Sequence, residues 1–107
     1  ENIGKMSTII DIQNEDELRD YINNSAKLII KDSATWCYPC KLLKPKLEKL
    51  SEKYTDVQII NVDVDKIPGF AHLSLPRTFF YVHGVEKDFV DGDRIDCIQS
   101  LLELHFK

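Results

Sequence analysis

Leu28-Ile29-Ile30 is a short β-branched apolar run, and from Tyr38 onward Leu42, Leu43, Leu47, Leu50 and Tyr54 recur at the three- and four-residue spacings of one helix face. The junction between the two is Trp36-Cys37-Tyr38-Pro39-Cys40-Lys41. A strand that passes into a helix through two thiols with two residues between them constrains this chain more than any other feature. Thiols so spaced on a first helical turn can close a disulfide, and the positive end of the helix favours the thiolate of the first. That is the physical basis of a dithiol/disulfide switch. Pro39 suits a rigid helix start, and Pro45 inside the same pattern predicts a kink.

The rest of the chain alternates in the same way. Residues 8–12 read as a first strand, and Asn14 followed by Glu17 marks the start of a helix that runs to about Asn24. Lys31 and Asp32 interrupt the apolar run of the second strand. Val57, Ile59, Ile60, Val62 and Val64 form a third, whose near-continuous apolar character suits a central position covered on both faces. A short helical or irregular connection spans Asp65 to Ser74. Residues 78–82 and 85–90 flank His83-Gly84 as an antiparallel hairpin. Asp93 is the expected cap of a closing helix carrying Ile95, Ile98, Leu101, Leu102 and Phe106. The order β-α-β-α-β-α-β-β-α predicts an α/β fold, a mixed sheet with helices on both faces. Residues 1–107 read as one domain, with Met6 a candidate start and residues 1–6 a disordered or expression-derived end.

Composition excludes several function classes. A net charge of −4 and a pI near 5.3 give no support for nucleic-acid binding. Lys41, Lys44, Lys46 and Lys49 are interleaved with Glu48 and Glu52, which reads as a solvated helix face. Three cysteines cannot make a paired framework, no apolar stretch reaches the length of a membrane span, and the first residues have no signal pattern. A cytosolic, membrane-free setting is expected. His72, His83 and His105 show no ligand spacing, so no metal is expected; a lone Cys-x-x-Cys supplies two ligands where a zinc or cluster site needs four. Cys97 reads as a small core residue of the last helix.

Over nearly its whole length the chain resembles the thioredoxins. Trp36 precedes the first cysteine, Lys41 follows the second, and Pro45 stands where that family kinks its second helix. Asp65-Lys66-Ile67-Pro68-Gly69 is similar to the family's segment after the central strand, and Leu75-Pro76, Gly84 and Gly92 follow at the family spacing. The resemblance implies a thioredoxin fold and thiol-disulfide exchange on protein disulfides, with no cofactor beyond the Cys37–Cys40 disulfide. It makes Cys37 the exposed nucleophile and Cys40 the more buried resolving thiol. Trp36, Tyr38, Pro39, Leu75, a cis Pro76, Arg77 and Gly92 become the substrate-binding residues. A thioredoxin-reductase or glutathione-type electron donor and a monomeric state are implied as well.

The chain departs from the family where the chemistry is tuned. Tyr38 replaces the commoner glycine between the cysteines. Lys31 stands where a buried aspartate is usual, Asn61 replaces the matching lysine, and Asp32 and Ser33 replace large apolar residues. A charged Lys31 would favour thiolate and make the disulfide more oxidising, a neutral one would accept the Cys40 proton, and a snorkelling one would leave that part to Asp32 or water. The sequence leaves these alternatives open, as it does a disulfide oxidase or isomerase and a binding module with vestigial turnover. The segment between Gly69 and Leu75 is shorter than usual, which trims part of the surface used by the family's reductase.

Overall fold

The computed structural model describes residues 9–67 and 74–106. Its elements run β1 (Ile9–Asp11), α1 (Glu15–Asn24), β2 (Lys27–Ser33), α2 (Tyr38–Ser51), β3 (Gln58–Asp63), β4 (Arg77–Val82), β5 (Val85–Asp91) and α3 (Ile95–His105). Five strands make one sheet in the order β1-β3-β2-β4-β5. β1, β3 and β2 are mutually parallel, while β4 is antiparallel to β2 and to β5. The sheet is mixed and the fold is α/β. The helical or irregular connection expected over 65–74, the trimmed 69–75 segment, Pro68, Gly69, His72 and residues 1–8 fall wholly or mainly outside the described residues.

Residue alternation along β2 divides the core. Ile29 faces α2 and α3, where Ile59, Phe80, Leu43, Leu47, Ile98, Leu102 and Phe106 close around it. Leu28 and Ile30 face the other way, with Leu18 of α1, Ile60, Val62 and Ile67. Each fully buried side chain of this kind contributes roughly 1.5–3 kcal/mol.

The polar residues that interrupt the second strand in sequence do not end it. β2 continues through Lys31, Asp32 and Ser33, because it is the middle strand and is paired on both sides: Lys31 lies between Asn61 and Thr78, and Asp32 between Val62 and Arg77. Ladder hydrogen bonds belong to the backbone and are indifferent to side-chain polarity. β3 is also internal, between β1 and β2.

Local signals set the ends of most elements. Asn14 Oδ1 accepts from the Glu17 N–H at 2.9 Å, and three acidic residues occupy the first turn of α1. His83 and Gly84 both have positive φ (49° and 81°), the pattern of a tight hairpin turn. α2 continues past Pro45 to Ser51. One cap differs from expectation. Asp93 does not cap α3; Arg94 occupies that position without a side-chain bond, and the Asp93 carboxylate instead takes Lys46 Nζ at 3.0 and 3.1 Å. A cation from α2 outcompetes the local backbone for that carboxylate.

Candidate active site

Cys37 and Cys40 are joined as a disulfide at the start of α2, their Cα atoms 5.3 Å apart. Cys37 is the N-cap of the helix, and its sulfur accepts from the Cys40 N–H at 3.3 Å. Pro39 sits in the first turn, where a missing N–H leaves no intrahelical bond unmade. The expected difference in exposure is absent. Cys37 is 4% exposed and Cys40 3%, both packed with Ala34, Val64 and Leu75. What distinguishes the sulfurs is the opening onto which each residue faces.

Cys37 lines a groove of about 530 Å³ together with Trp36, Tyr38, Pro39, Leu75 and Gly92. Trp36 and Tyr38 are each 68% exposed, an unusual amount of aromatic surface in water. The Trp36 ring is held by a hydrogen bond from Nε1 to Asp65 at 2.9 Å. Ser74 and Asp91 complete the groove. Neither stood out in the sequence, although the β4–β5 register, which sets Asp91 opposite Arg77, places Asp91 there.

Two of the expected substrate-binding residues, Pro76 and Arg77, are not among those lining the groove. Pro76 follows a cis peptide bond, as expected; it is buried, and its carbonyl accepts the Gly92 N–H at 2.7 Å. Arg77 turns away. Its guanidinium forks onto Asp91 at 2.6 and 3.2 Å and lies over the Phe89 ring, 4.6 Å from the centroid. Arg77 thereby fixes the carboxylate of a groove residue.

Cys40 faces a different opening, a cavity of about 310 Å³ on the α2 side of the sheet, lined also by Lys31, Ser33 and Asn61. Lys31 is 3% exposed, so it does not snorkel. Its Nζ has a long contact of 3.5 Å to Asn61 Oδ1, which accepts a shorter bond from Ser33 Oγ at 2.7 Å. Asn61 Nδ2 donates in turn to Asp11 at 3.1 Å. Burial, aided by Lys44 and opposed by Asp11 and Glu48, brings the Lys31 ammonium down to about 8. Asp32 is fully buried on the opposite face of β2 and does not line the Cys40 cavity. Burial pushes its carboxyl up to about 7 against the pull of Arg77. Alternation along one strand thus separates the amine from the neighbouring acid.

Cys97 is a free, half-buried thiol packed against the α3 side of the core. His83 lies in the hairpin turn, and His105 Nε2 is 3.5 Å from Asp88. Among the described residues no group of three His, Cys, Asp or Glu side chains is placed to hold a metal ion, and no helix is long and apolar enough to cross a membrane.

Comparison with known proteins agrees with this geometry. The thioredoxin family model matches residues 9–103. A thioredoxin of Equus caballus is 45% identical over 98 residues, covering 86% of this chain and 93% of its own. Thioredoxin H8 of Arabidopsis thaliana is 36% identical over 102 residues, covering 88% and 69%. The solved oxidised form of mitochondrial thioredoxin 3 from Saccharomyces cerevisiae superimposes with a TM-score of 0.83 at 30% identity, covering 90% of this chain and 94% of that one. Such proteins exchange disulfides without a cofactor beyond their own cysteine pair. With Cys37 capping α2 and the cysteine pair packed against Leu75, whose bond to Pro76 is cis, the chain belongs to the thioredoxin family and is a thiol-disulfide oxidoreductase of the thioredoxin type.

Proposed function

We propose that Cys37 is the attacking sulfur, Cys40 the resolving sulfur and Lys31 the proton acceptor for the second step. The Cys37 thiolate attacks a protein disulfide; a new S–S bond forms to Cys37 and one substrate sulfur leaves as thiolate. Cys40 then gives its proton to the Lys31 amine in its neutral form, which is the minority form below about pH 8, and attacks Cys37, and the second substrate sulfur leaves as thiolate. The substrate gains two electrons and the protein ends as the disulfide. The observation that carries this assignment is the burial of Lys31 in the same cavity as Cys40. The groove beside Cys37, with its exposed aromatic rings, suits an extended peptide whose backbone runs past Leu75 and Gly92.

In this reading the whole chain acts as one monomeric domain in the cytosol. Electrons come from a thioredoxin-reductase or glutathione-type donor. Replacing Cys40 by serine is expected to accumulate mixed disulfides on Cys37 when the reduced protein meets oxidised insulin. Adducts carried by Cys97, or none, would sink the assignment.

One observation favours a second reading. An amine that titrates near 8 is mostly protonated at neutral pH, and a cation near the pair stabilises thiolate and makes the disulfide more oxidising. A reduction potential near about −180 mV, returning toward about −270 mV in Lys31→Asp, would identify a disulfide donor or isomerase; a value near about −270 mV in the parent identifies a reductase.

A further inference from the structure

The cavity on the Cys40 side is not the substrate groove, and its lining is cationic. Its volume of about 310 Å³ is far above the ~15 Å³ that one water requires. Lys31 comes from β2, Lys41 and Lys44 from successive turns of α2, and Lys66 from the turn after β3. Asp11 and Asp63 are the carboxylates on the lining: Asp11 accepts from Asn61 and its charge acts on Lys31, and Asp63 accepts the Asp65 N–H at 2.9 Å. Glu48, four residues beyond Lys44, is the other carboxylate whose charge Lys31 feels. Among the described residues none of the four lysines forms an ion pair within 4.0 Å.

Lys31 is the informative member. An ammonium has three N–H donors, yet Lys31 is 3% exposed and, among the described residues, the hydrogen bond its Nζ makes is the 3.5 Å contact to Asn61. A buried ammonium so poorly satisfied, with three exposed lysines lining the same cavity, suits negative charge.

We propose that this cavity binds a small multivalent oxyanion of the phosphate type, held by Lys31, Lys41, Lys44 and Lys66. A free phosphate ion and the phosphate group of a small metabolite present the same oxygens. Because the substrate groove lies on the Cys37 side, the anion and a substrate peptide bind together. The consequence for turnover rests on Lys31 accepting the Cys40 proton. An anion against Nζ keeps the amine protonated, so the resolving attack slows while the first attack does not, and the mixed disulfide persists.

Titration of the oxidised protein with inorganic phosphate, followed by backbone amide NMR at constant ionic strength, tests the site. Saturable shifts centred on Lys31, Ser33, Asn61 and the first turns of α2 are expected. Lys44→Gln on the surface and Lys31→Met inside should each weaken binding by about tenfold, the size of one charge-assisted hydrogen bond. A parallel titration with phosphoserine distinguishes the sources: tighter saturation than with the inorganic ion assigns the site to a phosphorylated metabolite, and weaker saturation to the free ion. Shifts that never saturate, that chloride reproduces, or that survive Lys44→Gln unchanged would overturn the site. The two readings fail separately. Saturable binding with no slowing of mixed-disulfide resolution refutes Lys31 as acceptor and leaves the site standing, whereas absent binding refutes the site and leaves the acceptor untouched.

Discussion

Replacing Lys31 by methionine should change the stability of the oxidised protein by an amount that depends on pH in a calculable way. The side chain is 3% exposed, and burial brings its ammonium from 10.5 to about 8. Between those values the unfolded chain binds the proton and the folded chain does not, so folding stability rises with pH through that window. Below about pH 8 the folded protein carries the buried charge, and the full difference corresponds to about 3 kcal/mol of lost stability. Methionine keeps the length of the side chain and removes the titration. The stability advantage of Lys31→Met over the parent should therefore shrink by roughly 2–3 kcal/mol between pH 7 and pH 10. Urea denaturation of both proteins as the disulfide reads this directly, because Cys37 and Cys40 do not titrate in that form and the other groups cancel in the difference. A difference that stays constant across the range would show that Lys31 titrates as it does in water. That result would remove the physical basis for its part in thiol chemistry.

Asp32 gives the opposite pH signature. Burial raises its carboxyl from 3.8 to about 7, so the folded state binds the extra proton and stability falls as pH rises between those values. Asp32→Asn should gain on the parent by on the order of 3 kcal/mol between pH 4 and pH 8, and equal pH profiles in urea melts would contradict this. Together the two residues place a stability minimum of the oxidised parent near pH 7–8, which a pH series of thermal melts checks. Asn14→Ala removes the bond to the Glu17 N–H and should cost about 1 kcal/mol by chemical denaturation. Gly92 has φ of 89°, so Gly92→Ala should cost roughly 1 kcal/mol in melts through backbone strain alone, since the added carbon meets nothing closer than 3.9 Å.

The sequence by itself determined the chemistry and the layout of the fold. Cys37 and Cys40 flank a helix start because cysteine spacing, Pro39 and the helical recurrence of Leu43, Leu47 and Leu50 are all local signals, readable without knowing what lies opposite. The hairpin at His83-Gly84 and the Asn14 cap are local in the same sense. Tertiary structure decided everything that depends on which strand lies beside which. Along the chain the polarity of Lys31 and Asp32 reads as a break in β2; the ladders on both sides hold the strand regardless. Their fates then diverge by the pleat. One side chain enters the cavity behind Cys40 and the other is buried on the far face, a difference between adjacent residues set by which face each occupies. Asp91 joins the groove, and Arg77 leaves it, through a register between β4 and β5 that no short-range signal specifies. Asp93 was lost to Lys46 for the same reason: a charge on another element reaches it across space. Local preference names the reacting atoms, and long-range pairing sets the dielectric and the neighbours that tune them.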